Sequence, residues 1–270
     1  MDIRRYHACD AFAIKSKNQP NGYKMDYLHY HKAYEIYILE QGQHGYLIND
    51  KFYNVFPQDV VLLKPNVLHK SHDVKSYKRT CIYFTEEFLK DYFTEKALEL
   101  LLRCFEKDVI SLDKETFFRI QKEMAKMKKY GESNDYHHIS ILLGNVLVLL
   151  SDNRAAIRKE PTFYSNEKFS LILKFITQNY KDINRLDDIA AHFYVSTPHL
   201  CRVFKKNTGM TISHYLNHVK VQHACDLLVH TKKNILDIAL ECGFNSSMYF
   251  CKTFKEQVGC TPSEFRNSTS

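Results

Sequence analysis

Leu186-Asp187-Asp188-Ile189-Ala190-Ala191 returns 49 positions later as Ile235-Leu236-Asp237-Ile238-Ala239-Leu240. Leu200-Cys201-Arg202-Val203-Phe204-Lys205 returns 50 positions later as Phe250-Cys251-Lys252-Thr253-Phe254-Lys255, and Gly209-Met210-Thr211 as Gly259-Cys260-Thr261. The chain therefore carries a tandem repeat with one residue inserted between the halves of the unit. Each copy predicts a short amphipathic helix ending near Phe193 or Cys242, a tight turn, and a second helix. Ser196 and Ser246 stand where an N-cap oxygen satisfies the free N–H groups of that second helix. Pro198 is tolerated in the first turn, where its missing N–H has no intrahelical partner.

The second helix of each copy has an apolar side, Leu200, Val203 and Phe204 or Phe250, Thr253 and Phe254. Its other side offers Thr197, Cys201, Arg202, Lys205 and Lys206, or Ser247, Met248, Cys251, Lys252 and Lys255. A helix with small to medium side chains and cations near its N-terminus suits a DNA major groove: side chains reach base edges while backbone N–H groups and lysines hold phosphates. Ile212 to Val229 reads as one helix, long enough to hold two such heads roughly one duplex turn apart. A plain bundle with solvated cations explains one copy as well, but not two with matching caps, turns and charges.

The run Asp187-Asp188-Ile189-Ala190, then Ser196, Leu200, Arg202, Phe204-Lys205-Lys206 and Gly209, resembles the AraC/XylS family of transcription regulators. So does the second run, Ile238-Ala239, Gly243-Phe244, Tyr249-Phe250, Lys252, Phe254-Lys255, Gly259, Thr261-Pro262 and Glu264-Phe265-Arg266. The resemblance spans about 166–267. It implies two helix-turn-helices in successive major grooves of promoter DNA, usually activating transcription beside RNA polymerase. Carried onto this chain, the first reading helix offers Ser196, Thr197, His199, Cys201, Arg202, Lys205 and Lys206. The second offers Ser246, Ser247, Met248, Tyr249, Cys251, Lys252 and Lys255. His218, Lys220 and Lys252 depart from the family, which often has Arg there; a lysine is a point charge where Arg is a planar fork.

Composition agrees with this organisation. The 270 residues are 44% hydrophobic and 26% charged, with 8 Gly and 6 Pro, which excludes disordered and low-complexity classes. The net charge is +7, and residues 161–270 hold 13 Lys and Arg against 9 Asp and Glu, compatible with a nucleic-acid partner without demanding one. Eight cysteines without a C-x-x-C pair exclude zinc fingers and a disulfide scaffold. The N-terminus shows no export signal and no run is long enough to span a bilayer, so a cytoplasmic protein without a membrane partner is expected.

Between Tyr27 and Phe84 short runs such as Tyr34–Leu39, Gly45–Ile48, Val60–Leu63 and Thr80–Phe84 predict an antiparallel sandwich or barrel. After Glu86 the period becomes helical, with helices over about Lys114–Tyr130 and Tyr136–Asn153; the second is apolar on most sides and must be buried in its own core or against a second copy. Ala155 to Asn166 reads as a linker. The expected fold is α+β: an antiparallel barrel (1–85), which the motifs below liken to the cupin jelly roll, a helical dimerisation or connector segment (86–160), and an all-α domain of two helix-turn-helix units joined by a long helix (161–270).

The barrel carries His29-x-His31-x3-Glu35, which on one extended strand would share a face. Pro57 to His69 forms a second element, and the pair resembles the two motifs of the cupin superfamily, with Gln58 where a Gly is expected. In metal-binding cupins His29, His31, Glu35 and His69 would be a three-His, one-carboxylate site. Three readings stay open: a metal site, a polar pocket for a small effector such as a sugar (His29, His31, Glu35, Tyr37, His69), and histidines bonded to the backbone. The effector pocket without metal or cofactor is preferred. Tyr30, Tyr34, Tyr37, Tyr46 and Tyr53 are candidates to line it. The reading is of a homodimeric, non-enzymatic regulator switched by a small molecule, against a metal-dependent cupin enzyme or a regulator that needs no ligand.

Overall fold

The computed structural model describes residues 11–19, 28–72, 76–152, 156–158 and 167–269. They form two compact units that divide near Tyr164.

The first unit begins with strands β1 (Phe12–Gln19), β2 (Tyr34–Gly42), β3 (His44–Ile48), β4 (Lys51–Val55), β5 (Asp59–Leu63), β6 (His69–His72) and β7 (Tyr77–Phe84). Helices α1 (Glu86–Lys90) and α2 (Glu95–Leu102), strand β8 (Val109–Leu112), helices α3 (Lys114–Glu132) and α4 (Tyr136–Ser151) and strand β9 (Ala156–Arg158) follow. One sheet has the order β1-β7-β2-β5-β8-β9 and the other β4-β3-β6, with every described pairing antiparallel.

β2 shows why this unit needs both a second sheet and helices. Successive side chains of a strand point to opposite faces, and Tyr34 through Leu39 are all buried. Tyr34, Ile36 and Ile38 pack with Phe88, Leu89, Leu98, Met124, Leu143 and Val146 of the helices. Tyr37 and Leu39 face the interior with Tyr46, Tyr53, Val61 and Tyr77. Tyr34 thus belongs to the helix-covered core and stacks on Phe84 at 5.2 Å, not to the barrel lumen as the sequence suggests.

The segment 86–160 is not a separate helical body. Its helices complete the core of the large sheet, and β8 extends that sheet by pairing Val61 with Val109 and Asp59 with Ser111. Four residues between helices carry no local strand signal; pairing with distant β5 decides their conformation. The start of the expected linker is strand β9, paired to β8, and its other residues lie outside the described ones.

The second unit is helical: α5 (Glu167–Asn179), α6 (Leu186–His192), α7 (Thr197–Thr208), α8 (Ile212–His230), α9 (Ile235–Glu241), α10 (Ser247–Val258) and α11 (Pro262–Thr269). α6 and α9 have 7 residues each and α7 and α10 have 12, so the repeat is exact in element length and the extra residue falls in the second turn. The caps repeat too. Ser196 Oγ accepts from the His199 N–H and Ser246 Oγ from the Tyr249 N–H. Gly209 and Gly259 close the helices at φ 80° and 94°. α5 covers the first copy, where Phe169 lies 5.8 Å from Phe204.

No helix among the described residues is long and apolar enough to cross a membrane.

Candidate nucleic-acid interface and effector cavity

α7 and α10 each bury one side and expose the other. Leu200, Phe204 and Thr208 anchor α7; Phe250, Thr253, Phe254, Gln257 and Val258 anchor α10. The exposed side of α7 carries His199, Arg202, Lys205 and Lys206, with Thr197 and Cys201 half-buried beside them. On α10, Ser247, Met248, Tyr249, Lys252 and Lys255 are exposed and Cys251 is half-buried; Met248, at 82% exposure, is an unusually bare apolar side chain. Ser196 and Ser246 head the two helices with their hydroxyls engaged as caps. No carboxylate among the described residues forms an ion pair with Arg202 or Lys252, so both guanidinium and ammonium face outward.

Two candidates are held in place by neighbours. Thr197 Oγ1 donates to Asp187 Oδ1 at 2.6 Å, tying α7 to α6. Asn217 Nδ2 donates to the Tyr249 hydroxyl at 2.7 Å, fixing that ring from α8. Lys220 has another part: it is buried, its Nζ donates to the Gly243 carbonyl at 2.6 Å, and it lies over the Phe244 ring. Burial lowers its pKa. It pins the second turn rather than offering a charge to a partner.

The other site lies between the two sheets. His29, Glu35, Tyr37, His44, Tyr46, His69, Ser71, Tyr77, Arg79 and Tyr83 line a cavity of ≈ 30 Å³. Of the expected effector residues, His29, Glu35, Tyr37 and His69 reach this wall, while His31 stands behind it. His31 Nε2 meets Glu35 Oε2 at 2.9 Å. The cause is not alternation along one strand: residues 32–33 bend, β2 starts at Tyr34, and His29 makes an isolated bridge to His69. Among the proposed tyrosines Tyr37 and Tyr46 line the cavity, and Tyr53 instead donates to Asp108 at 2.7 Å.

His44, Ser71, Tyr77, Arg79 and Tyr83 are new. The last three alternate along β7 with Cys81, a period-two pattern visible in the sequence once Tyr77–Phe84 is known as a strand. Tyr37 Oη and His44 Nε2 are 2.7 Å apart, the Arg79 guanidinium lies 5.1 Å from the Tyr37 ring centre and donates to Cys81 Sγ, and Tyr83 Oη donates to Glu35 Oε1 at 3.1 Å. Burial alone would raise the Glu35 pKa, but the His31 hydrogen bond and the charges of His31, His69 and Arg79 hold it well below the usual carboxylate range. Burial, reinforced by His29, drives the His69 pKa well below its ordinary value. His29 is a wall residue whose ring centre sits 4.1 Å from that of His69, and the close donor group is His31, Glu35 and His69, one fewer than the expected four. Gln58, where a Gly was expected, adopts φ 75°.

Residues 16–160 match the family described as the AraC-like ligand binding domain, and residues 189–268 match a helix-turn-helix domain family. The chain belongs to the AraC family of transcription regulators. It is similar to the HTH-type transcriptional activator RhaR of Mannheimia succiniciproducens, 26% identical over 251 residues that cover 89% of this chain and 87% of that one. The lactose operon transcription activator of Staphylococcus xylosus is 26% identical over 240 residues, covering 87% and 84%. Among solved structures, ToxT from Vibrio cholerae matches over 96% of this chain and 98% of its own at 15% identity and a TM-score of 0.38. As a member of this family the chain is a DNA-binding transcription regulator and not an enzyme.

Proposed function

We propose that this AraC-family protein is a cytoplasmic transcription activator that reads promoter DNA with α7 and α10 and responds to a small polar effector in the barrel. The observation that carries the DNA reading is the pair of equal-length helices, identically capped, each presenting an unpaired cation on its exposed face. His199, Cys201 and Arg202, with Ser247, Met248, Tyr249, Cys251 and Lys252, are the side chains placed to meet base edges. Lys205, Lys206 and Lys255 suit phosphates, and the capping Ser196 and Ser246 with Thr197 set the two helix entries. The 19-residue α8 is about 28 Å long, which suits heads one duplex turn apart. RNA polymerase is the partner beside which such an activator works.

The effector reading rests on Arg79, Tyr37, His44 and the His29, His31, Glu35 and His69 group, all convergent and polar. A carbohydrate is the class suggested by the relative named as a lactose operon activator, and the cavity must widen to take one. The ligand acts by binding one arrangement of the protein more tightly than another. A homodimer is suggested by α4, which buries Ile139, Leu143, Val146 and Leu150 in its own core yet exposes Ile141 and Val148 one heptad apart. Replacing both by glutamate is expected to shift the sedimentation of the protein towards monomer without unfolding it; an unchanged profile counts against α4 as the interface.

The DNA reading is tested by titrating labelled promoter fragments with the protein at several salt concentrations. Affinity should fall steeply with salt, log K dropping by about 0.9 per phosphate contact for each unit of log salt. Arg202→Ala should cost about 1–3 kcal/mol, roughly 5- to 150-fold, and relax sequence choice at one position. A uniform loss on every sequence would assign Arg202 to a phosphate, and a salt-independent affinity would sink the interface.

A further inference from the structure

The two copies agree where the fold needs them to and differ at one exposed position. Residue 198 of α7 and residue 248 of α10 match at the offset of 50. Both helices have 12 residues, both are capped by a serine hydroxyl, and Phe204 and Phe254 are fully buried in matching places. The first copy has Pro198, which suits the opening turn of a helix; the second has Met248. The unit folds without a long apolar side chain there, so packing does not explain the methionine.

Met248 is the second residue of α10 and is 82% exposed. A single apolar side chain in water is ordinary on most surfaces. This one stands in the first turn of the helix, and those are the residues that reach base edges when a helix-turn-helix docks. Its neighbour is not free to cover it: Asn217 holds the Tyr249 hydroxyl at 2.7 Å, and the ring centre lies 6.2 Å from that of Phe244. Lys252 and Lys255, four and seven residues on, share the same side of the helix and are exposed. An apolar tip backed by two ammonium groups fits an apolar spot on a polyanion. Against an apolar protein surface both charges would lose water unpaired.

We infer that Met248 reads a thymine through its 5-methyl group. Major-groove edges present ring nitrogens, carbonyl oxygens, amino groups and one kind of apolar group, the thymine methyl. A thioether side chain is unbranched, polarizable and only a weak acceptor, so it packs on a methyl and pairs poorly with the rest. Over guanine it would shield N7 and O6 from water, and over cytosine the N4 amino group, leaving them unpaired; both bases are disfavoured as a result. The first head has only the short proline ring at this position and carries Arg202 where the second has Lys252. A guanidinium pairs bidentately with guanine. The two heads therefore ask for different bases, and one chain binds two unlike half-sites. This rests on the reading of α7 and α10 as DNA-reading helices and adds the base that α10 selects.

The test uses the full-length protein and a duplex that the wild type selects from a random-sequence library. Each thymine of that duplex is changed in turn to uracil, which removes the methyl and keeps the pairing. At one of them the wild type should lose about fourfold in affinity, the worth of one buried methyl group. Met248→Ala should bind the thymine and uracil forms of that duplex equally, and thermal melting of the same sample reports that it folds. The inference is overturned if no uracil substitution weakens the wild type, or if folded Met248→Ala still distinguishes the two duplexes. A wild type that prefers two copies of one half-site overturns it as well. Met248→Ala that binds every duplex like wild type yet loses transcription would give the methionine to a protein partner, which also overturns it. In each case the duplex selected by the wild type leaves the DNA reading standing, whereas failure to select any duplex sinks both.

Discussion

Phe254→Ala is expected to destabilise the helical unit by about 3–5 kcal/mol, the usual cost of emptying a buried phenylalanine site. Phe254 is fully buried and meets Phe250 and Phe265 at ring-centre distances of 5.6 Å each, inside a cluster with Ala239, Cys242 and Val258. These neighbours come from α9, α10, α11 and the turn after α9, so no single side chain can swing in to fill the space. A domain of this size has roughly 5–15 kcal/mol in hand. The loss therefore takes a large part of its stability, and the melting temperature should fall by about 15 °C. Met248→Ala, on the exposed side of the same helix, should leave stability within about 0.5 kcal/mol of wild type. The pair separates packing from recognition. Denaturant titration checks it, and a Phe254→Ala cost below about 1 kcal/mol would mean that the cluster is not close-packed.

The legible part of this chain is the part whose signals are local. N-cap serines, C-cap glycines and apolar spacing are all read within one or two turns of helix, so the repeat at offsets of 49 and 50 yields helices of matching length. α5 carries the same kind of signal in Phe169, Ile172, Leu173 and Ile176, spaced three, four and seven apart and all buried. The illegible part depends on distant partners. β8 is a strand because β5 offers it an edge, and β1, FAIKSKNQ, is a strand because β7 pairs with it along its whole length.

The barrel site divides in the same manner. Glu35 and His69 are conspicuous as polar residues in apolar surroundings, and their burial follows from those neighbours. Which histidine meets the Glu35 carboxylate could not be read from alternation, because the chain bends between His31 and β2 and brings His31 Nε2 to Glu35 Oε2 from behind the cavity wall. Arg79 was hidden for a different reason. Its exposed-looking context, Tyr77-Lys78-Arg79-Thr80, masks an inward face on which only alternate residues count: Lys78 pairs outward with Glu40 at 2.9 Å while Arg79 lies over Tyr37.

Gly243→Ala is expected to cost roughly 3 kcal/mol and to disable the second reading helix selectively. Gly243 has φ 76°, and a Cβ there would sit 2.4 Å from the Lys181 carbonyl oxygen and 2.8 Å from its Cα. The matching residue of the first copy, Tyr194, also has positive φ, 52°, and is 95% exposed. The left-handed backbone by itself is thus tolerated by a bulky residue, at about 1–2 kcal/mol. At Gly243 the larger part of the cost is the collision with backbone, which no rotamer change relieves. The turn would have to move away from Lys181, and with it the carbonyl that Lys220 grips at 2.6 Å and the start of α10. Since α7 is capped and packed independently, its half of the DNA contact should survive. Footprinting should then show protection over one half of the operator only, with a lowered melting temperature, whereas Tyr194→Ala changes stability by less than about 1 kcal/mol. A Gly243→Ala protein that melts and protects DNA like wild type would show that the approach of Lys181 does not set the position of α10.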